Sequence, residues 1–360
     1  MIVQCPNHDV PFRHFYVDET RRLRNIERGA EARGQCSWTC EMIYDVSPIK
    51  PKGESSTGGT SRNLPIAFHA SKPNEVTQAV KDAIDIGYRH IDGAHLYANE
   101  KEIGKAVRAK IQQGVIKRED IFITGKLWNT FHRPGVVEPS LRRTLDDLGV
   151  EYIDLYLIHW PMSYKEGSNF QPKDANGKLV YTDYDYVDTW KAMEEVYEKG
   201  LVKNIGVSNF NEEQLERVLK AGKIKPVTNQ IECQPYLGQF KLSEYCKSKG
   251  IVVTAFRPLG RPDSTVIKKG EPTLLEDNRI IRLSKKYNKT PAQVLLRYQI
   301  DRGHVVIPKS VSKSRLKENF DIFDFELSKE DVELINSCDC NKRFCPMSDA
   351  IDSPYFPFRD

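Results

Sequence analysis

From residue 63 onward, short runs rich in Val and Ile alternate with helical stretches, and few folds accept that order. NLPIAFHA (63–70) reads as the first strand. Over Pro73–Ile86, Val76, Ala79, Val80, Ala83 and Ile84 fall on one helical stripe. YRHID (88–92) is the next strand, and a helix from Glu100 to Ile111 leads to DIFITGKL (120–127). The order then repeats: helix 134–148 and EYIDLYLIHW, helix 187–199 and VKNIGVSNF, helix 211–221 and VTNQIE, helix 240–249 and IVVTAF. Helices near 275–287 and 291–301 precede HVVIPKS. Runs this apolar have both faces covered, as in a parallel sheet. Eight such strand–helix units over about 290 residues predict a closed (β/α)8 TIM barrel, an α/β fold. No Gly-x-Gly-x-x-Gly follows any of the strands, which counts against an open dinucleotide-binding sheet.

Charge and cysteine usage narrow the partners. Lys and Arg number 54 against 50 Asp and Glu, a net charge of +4, too even to imply nucleic acid. No apolar run approaches the ~20 residues that a bilayer core requires, so no membrane partner is expected. MIVQCPNHDVPFRHF lacks the apolar stretch of a secretory signal, and a cytoplasmic protein is expected. The eight cysteines make no zinc framework: Cys36 and Cys40 lack a second ligand pair, so reduced thiols and no metal are expected. Residues 1–61 have another texture. They show no sustained period, balance eight charges of each sign over residues 1–60, and end in KPKGESSTGGTS. A poorly ordered N-terminal extension is expected there, with the barrel over 62–360.

In such a barrel the active site gathers at the C-terminal strand ends. The strand 88–92 ends at Asp92, with Tyr97 in the loop behind it; Lys126 lies near the end of 120–127, and His159 ends DLYLIH. Singly, each of these residues is more often structural. Together they form a proton donor. A phenol has an ordinary pKa near 10. A nearby ammonium stabilises phenolate and lowers that value, and a buried ammonium needs a counter-charge, which Asp92 can supply. Lys126 is therefore expected to bring Tyr97 toward working pH as a general acid, with His159 orienting a substrate carbonyl. The set suits carbonyl reduction, in which a cofactor brings the hydride.

The stretches GYRHIDGAHLYANEKEIG, FITGKLWNTFH, EYIDLYLIHWP, GLVKNIGVSNF, KPVTNQIECQPYL, GIVVTAFRPLG, VVIPKS and RLKENF follow one another in this order. Through them the chain from 73 to 358 resembles the aldo-keto reductases, in the aldose and aldehyde reductase branch. The resemblance implies the same barrel, a monomer, NADPH as cofactor and a small carbonyl substrate, with Asp92, Tyr97, Lys126 and His159 as the catalytic set. It implies that Ser208, Asn209 and Gln230 hold the nicotinamide carboxamide, and that Phe256 stacks on the ring where a Tyr is usual. Arg257, where a small polar residue is usual, and Leu259 would lie in the loop over the pyrophosphate, with Arg257 touching phosphate. Lys309, Ser310, Val311 and Arg315 would surround the adenosine 2′-phosphate, and Glu318 and Asn319 the adenine. Trp128, His159, Trp160 and Phe170 would face the substrate. Cys345 and Met347 would join them from a C-terminal specificity loop, NKRFCPMSDAIDSPYFPF.

The first strand departs from this pattern. NLPIAFHASKP stands where the family reads roughly MPxLGLGTW; Gly-Thr-Trp is absent and His69 sits near the Trp position. An ill-fitting strand that leaves the barrel unclosed is one expectation. It sustains a second functional reading, a catalytically impaired NADPH-binding barrel acting through protein contacts. A third, a metal-assisted barrel enzyme, lacks a clustered His/Asp/Glu set. Gln234, where His is common, is expected to have little consequence.

Overall fold

The computed structural model describes residues 64–68, 71, 75–261 and 273–359. Its apolar runs form eight strands: β1 (Pro65–Ala67), β2 (His90–Asp92), β3 (Phe122–Leu127), β4 (Leu155–Ile158), β5 (Ile205–Ser208), β6 (Thr228–Glu232), β7 (Val252–Phe256) and β8 (Val305–Ile307). Each pairs in parallel with the next in sequence order. The sheet also closes. The Ala67 amide donates to the Pro308 carbonyl at 3.1 Å, and Ala67 bridges Lys309 in parallel. The expected (β/α)8 barrel is therefore formed.

The doubt about β1 is corrected by the same contacts. Closure needs backbone groups to pair and apolar residues to bury, and neither requires Gly-Thr-Trp. Pro65, which has no N–H to give, stands first in the strand, where a ladder tolerates it. Leu64, Ile66 and Phe68 are buried in the main core. His69 and the extension 1–61 lie outside the described residues.

The helices follow the expected order: α1 (Glu75–Ile86), α2 (Glu100–Gln112), α3 (Pro134–Leu148), α4 (Tyr186–Glu198), α5 (Glu212–Ala221), α6 (Phe240–Ser248), α7 (Asn278–Tyr287) and α8 (Pro291–Asp301). Their starts have local causes. Asp185 caps α4 by accepting from the Val187 amide, and Thr290 and Gln293 form a capping box ahead of α8, with Pro291 opening the helix. The helix expected from 275 begins instead as a 3-10 turn, Leu274–Glu276, because Asp277 accepts from the Arg279 amide and starts α7 behind it. After β8 come α9 (Lys313–Phe320) and α10 (Lys329–Asn336), the latter absent from the sequence reading. A second apolar cluster joins α7, α8 and α10 through Ile280, Leu283, Val294, Leu295, Tyr298 and Ile335. No helix among the described residues is long and apolar enough to cross a membrane.

Candidate active site

β2 and β3 pair with Asp92 opposite Thr124, and Lys126 lies two residues further along the same strand, on the same face. Both side chains are almost fully enclosed, at 2% and 0% exposure. Lys126 Nζ makes a close ion pair with Asp92 Oδ1 and donates to the Gly93 carbonyl at 2.8 Å. Gln230 Nε2 donates to the other Asp92 oxygen at 2.8 Å. Burial holds Lys126 below the ordinary lysine range, and Asp92 opposes that shift. Tyr97 closes the turn His95–Tyr97; its ring lies edge-on to His159 at 5.9 Å and 5.3 Å from Lys126 Nζ. His159, just after β4, stands edge-on to Trp128 at 5.2 Å. The four residues singled out by their strand-end positions are thus brought together.

One expectation about them is corrected. The Tyr97 phenol lies well above its ordinary range, first because burial penalises phenolate, then because Asp92 and Cys345 oppose a negative charge; Arg257 pulls the other way. The Lys126 charge is already neutralised by Asp92, so it does not overcome the desolvation. Tyr97 keeps its proton across the neutral range.

The neighbouring strand ends knit into this core. Ser208 Oγ donates to the Gln230 carbonyl at 2.8 Å, and Asn209 Nδ2 donates to the His159 carbonyl and to Ser208 Oγ, both at 3.0 Å. Asn209 sits at φ 63°, a left-handed conformation that Asn tolerates. Ser208, Asn209 and Gln230 are buried, and their mix of hydroxyl and amide groups can both donate and accept, as a carboxamide requires. That donor set fits a nicotinamide. Phe256 ends β7 half-buried, and Leu259 packs against the core.

Arg257, at φ 52°, donates from Nη1 to the Phe344 carbonyl at 2.7 Å, which ties it to the C-terminal loop. Residues 262–272 of the loop behind it lie outside the described residues.

Beyond β8, Lys309 and Arg315 are exposed, and among the described residues neither makes an ion pair, whereas Lys313 meets Asp82 at 3.2 Å. Ser310 is buried, with Oγ accepting from the Ser312 amide at 3.2 Å, and Val311 packs on the core. Asn319 is buried, but the Glu318 carboxylate accepts from Thr290 Oγ1 at 2.8 Å, held by the start of α8.

Beside these strand ends, one apolar cluster unites Trp128, Trp160, Met162 and Phe356 with Phe170, Cys345 and Met347. Trp128 Nε1 donates to the Phe170 carbonyl at 2.8 Å. Sequence reasoning missed Glu232. It ends β6 at 1% exposure and accepts from the Phe344 and Cys345 amides, each at 2.7 Å. A carboxylate at the end of an enclosed strand is a readable signal, because a buried charge must find partners. Gln234, expected to matter little, is fully enclosed: Nε2 donates to the Lys342 carbonyl at 2.9 Å and Oε1 accepts from the Tyr236 amide at 2.7 Å. Among the described residues no group of three His, Cys, Asp or Glu side chains converges as a metal site would need.

Comparison with known proteins agrees with this geometry. The sequence model of the Aldo/keto reductase family matches residues 56–340. Estradiol 17 beta-dehydrogenase 5 of Mus musculus is 49% identical over 303 residues, covering 82% of this chain and 94% of that protein. Aldo-keto reductase family 1 member A1-A of Danio rerio is 47% identical over 313 residues, covering 84% and 97%. The solved aldose reductase of Schistosoma japonicum superposes with a TM-score of 0.78 at 43% identity, covering 82% of this chain and 95% of that one. With this barrel and these strand-end residues, the chain belongs to the aldo/keto reductase family and is an oxidoreductase of carbonyl chemistry.

Proposed function

We propose that the protein reduces aldehydes and ketones to alcohols with NADPH, using Tyr97 as proton donor. The observation that carries the reading is the convergence of Tyr97, the Lys126–Asp92 pair and His159, with the Trp128 indole edge-on to His159. Relatives named as an aldose reductase and as the prostaglandin-E(2) 9-reductase of Oryctolagus cuniculus, the latter 49% identical over 303 residues, support it.

Ser208, Asn209 and Gln230 would hold the carboxamide of the cofactor, with Phe256 against its ring. Lys309, Ser310 and Arg315 would hold the 2′-phosphate that separates NADPH from NADH, two cations with no ion pair of their own among the described residues. When bound, the nicotinamide supplies the hydride for the carbonyl carbon. His159 orients the carbonyl, and Tyr97 gives its phenolic proton to the carbonyl oxygen as negative charge builds there. That oxygen, once charged, is a stronger base than phenolate, so a raised Tyr97 pKa keeps the donor loaded without blocking transfer. Lys126, braced by Asp92, steadies the phenolate left behind. Trp128, Trp160 and Phe170 exclude water and favour aromatic or alkyl aldehydes.

The test is NADPH consumption by the purified chain with an aromatic aldehyde, followed by absorbance. Steady turnover, faster with NADPH than with NADH, is expected. Tight NADPH binding with no turnover on any aldehyde would instead favour the non-catalytic barrel, a reading that the pairing of β1 on both sides does not favour.

A further inference from the structure

The C-terminal loop is held beside the Trp128 and Trp160 cluster by two neighbouring strand ends. Glu232 closes β6 and lies opposite Phe256, the last residue of β7, so Arg257 follows directly behind that pair. The Glu232 carboxylate accepts from the amides of Phe344 and Cys345, and Arg257 Nη1 donates to the carbonyl of Phe344. Three consecutive backbone groups of residues 344–345 are thereby satisfied by two side chains of opposite charge. Gln234 and the Tyr236 carbonyl hold the stretch just before, at Cys340 and Lys342. The stretch just after contains Cys345 and Met347, which pack into the same cluster as Trp128 and Trp160.

We propose that Glu232 and Arg257 form a paired anchor that sets the position of the C-terminal loop over Tyr97, and so decides which carbonyl substrates fit the mouth. They are positioning residues: they touch the loop and act on substrate through Cys345 and Met347. Burial raises the Glu232 carboxyl above its ordinary range, and the loop amides and the cations Arg343 and Arg257 offset that only in part. Arg257 thus acts on substrate fit through the loop it holds. The inference deepens the reductase reading and rests on it for its kinetic part only.

Glu232→Gln leaves one acceptor for two amides, and Arg257→Ser removes the donor to Phe344. Hydrogen exchange on the full chain should show loss of protection at the Phe344 and Cys345 amides in both variants, by about tenfold or more. A small aromatic aldehyde should show a KM about tenfold higher with kcat within about threefold, because the wall that packs on it has loosened. A bulky ketone should lose less, so the ratio of the two kcat/KM values shifts toward the ketone. Arg257→Lys, which keeps a donor, should restore part of the ratio. NADPH affinity, read by fluorescence titration, should stay within about threefold. Unchanged exchange at 344–345, or an unchanged substrate ratio beside a tenfold loss of NADPH affinity, would overturn the anchor. Wild-type protein that reduces no aldehyde would defeat the reductase reading alone, since exchange still tests the anchor. Should Glu232→Gln fail to fold, the half-buried Arg257 variant carries both measurements.

Discussion

A phenol buried beside a carboxylate holds its proton, and Tyr97 meets both conditions. The proton is available at neutral pH for whatever oxygen becomes basic next to it, and no other change at the site removes it with so little loss of volume as Tyr97→Phe. That variant should lose about 10²–10⁴ in turnover while NADPH affinity is retained. Retention of more than about a tenth of the wild-type rate, a change under about 1.4 kcal/mol, would mean another group donates the proton. The cations beyond β8 invite a similar contrast. Lys309→Met with Arg315→Met should weaken NADPH by at least about tenfold and leave NADH nearly unchanged, because charge-assisted phosphate contacts exist for one cofactor only. Equal losses in the two titrations would place these cations on a part common to both. At this scale Asp92, Tyr97, Lys126 and His159 were legible because strand ends in a barrel face one rim. The tie from Arg257 to Phe344 was not legible, because that partner lies 87 residues further along the chain. Glu232 and Gln234 went unseen as anchors because their partners, residues 342–345, lie more than a hundred residues away in the chain.

At the scale of elements, periodicity gave helix positions within a residue or two, save the start of α7, and α3 was read with its observed bounds. What the sequence could not convey was how closely elements approach. Gly104 of α2 lies against the end of α3, where an added Cβ would fall on the Leu148 carbonyl oxygen, 2.6 Å from the carbonyl carbon. Arg108 also donates to that carbonyl, so the two helices cannot separate cheaply. Ala in place of Gly favours a helix by about 1 kcal/mol. Forcing a methyl into closed packing costs about 1–3 kcal/mol, and here the obstacle is backbone. Gly104→Ala should therefore lower stability by about 1–2 kcal/mol net, measured by denaturant titration; an equal or higher midpoint would show that α2 and α3 have room to give. α10 escaped notice for a related reason: at Lys329–Asn336 it is short, and its apolar face is defined by α7 and α8.

For the whole molecule, enclosure shapes the response to acid. His90, His132 and His304 are each pushed down to about 3 by burial, with Lys126 adding at His90 and Arg302 at His304. An unfolded chain protonates its histidines near 6.5, whereas the folded chain refuses those protons until about pH 3. Their contribution is thus present above 6.5 and lost as pH falls through this window. Substituting His132, whose ring nitrogens have no partner among the described residues, by Leu should flatten the dependence of stability on pH by about 1.4 kcal/mol per unit between about pH 4 and 5.5. Parallel curves for the two proteins would mean that His132 is protonated inside the fold.

The boundary of the folded unit is itself open to test. Among the described residues every strand lies between Pro65 and Ile307, and the bond that closes the barrel joins Ala67 to Pro308. The residues proposed to bind cofactor and substrate all come later than Asp92. A chain beginning at residue 61 would therefore keep all eight strands, the ring of parallel pairs, the anchored C-terminal loop and the proposed proton donor. Barrel closure depends on the backbone of β1 and on the burial of Leu64, Ile66 and Phe68, and that chain contains all of them. We expect deletion of residues 1–60 to move the thermal midpoint by no more than about 2 °C, roughly the shift that 1 kcal/mol gives a domain of about 300 residues. NADPH affinity and aldehyde turnover should persist as well. A truncated chain that fails to fold, or that folds but no longer binds NADPH, would place part of the working barrel before residue 61.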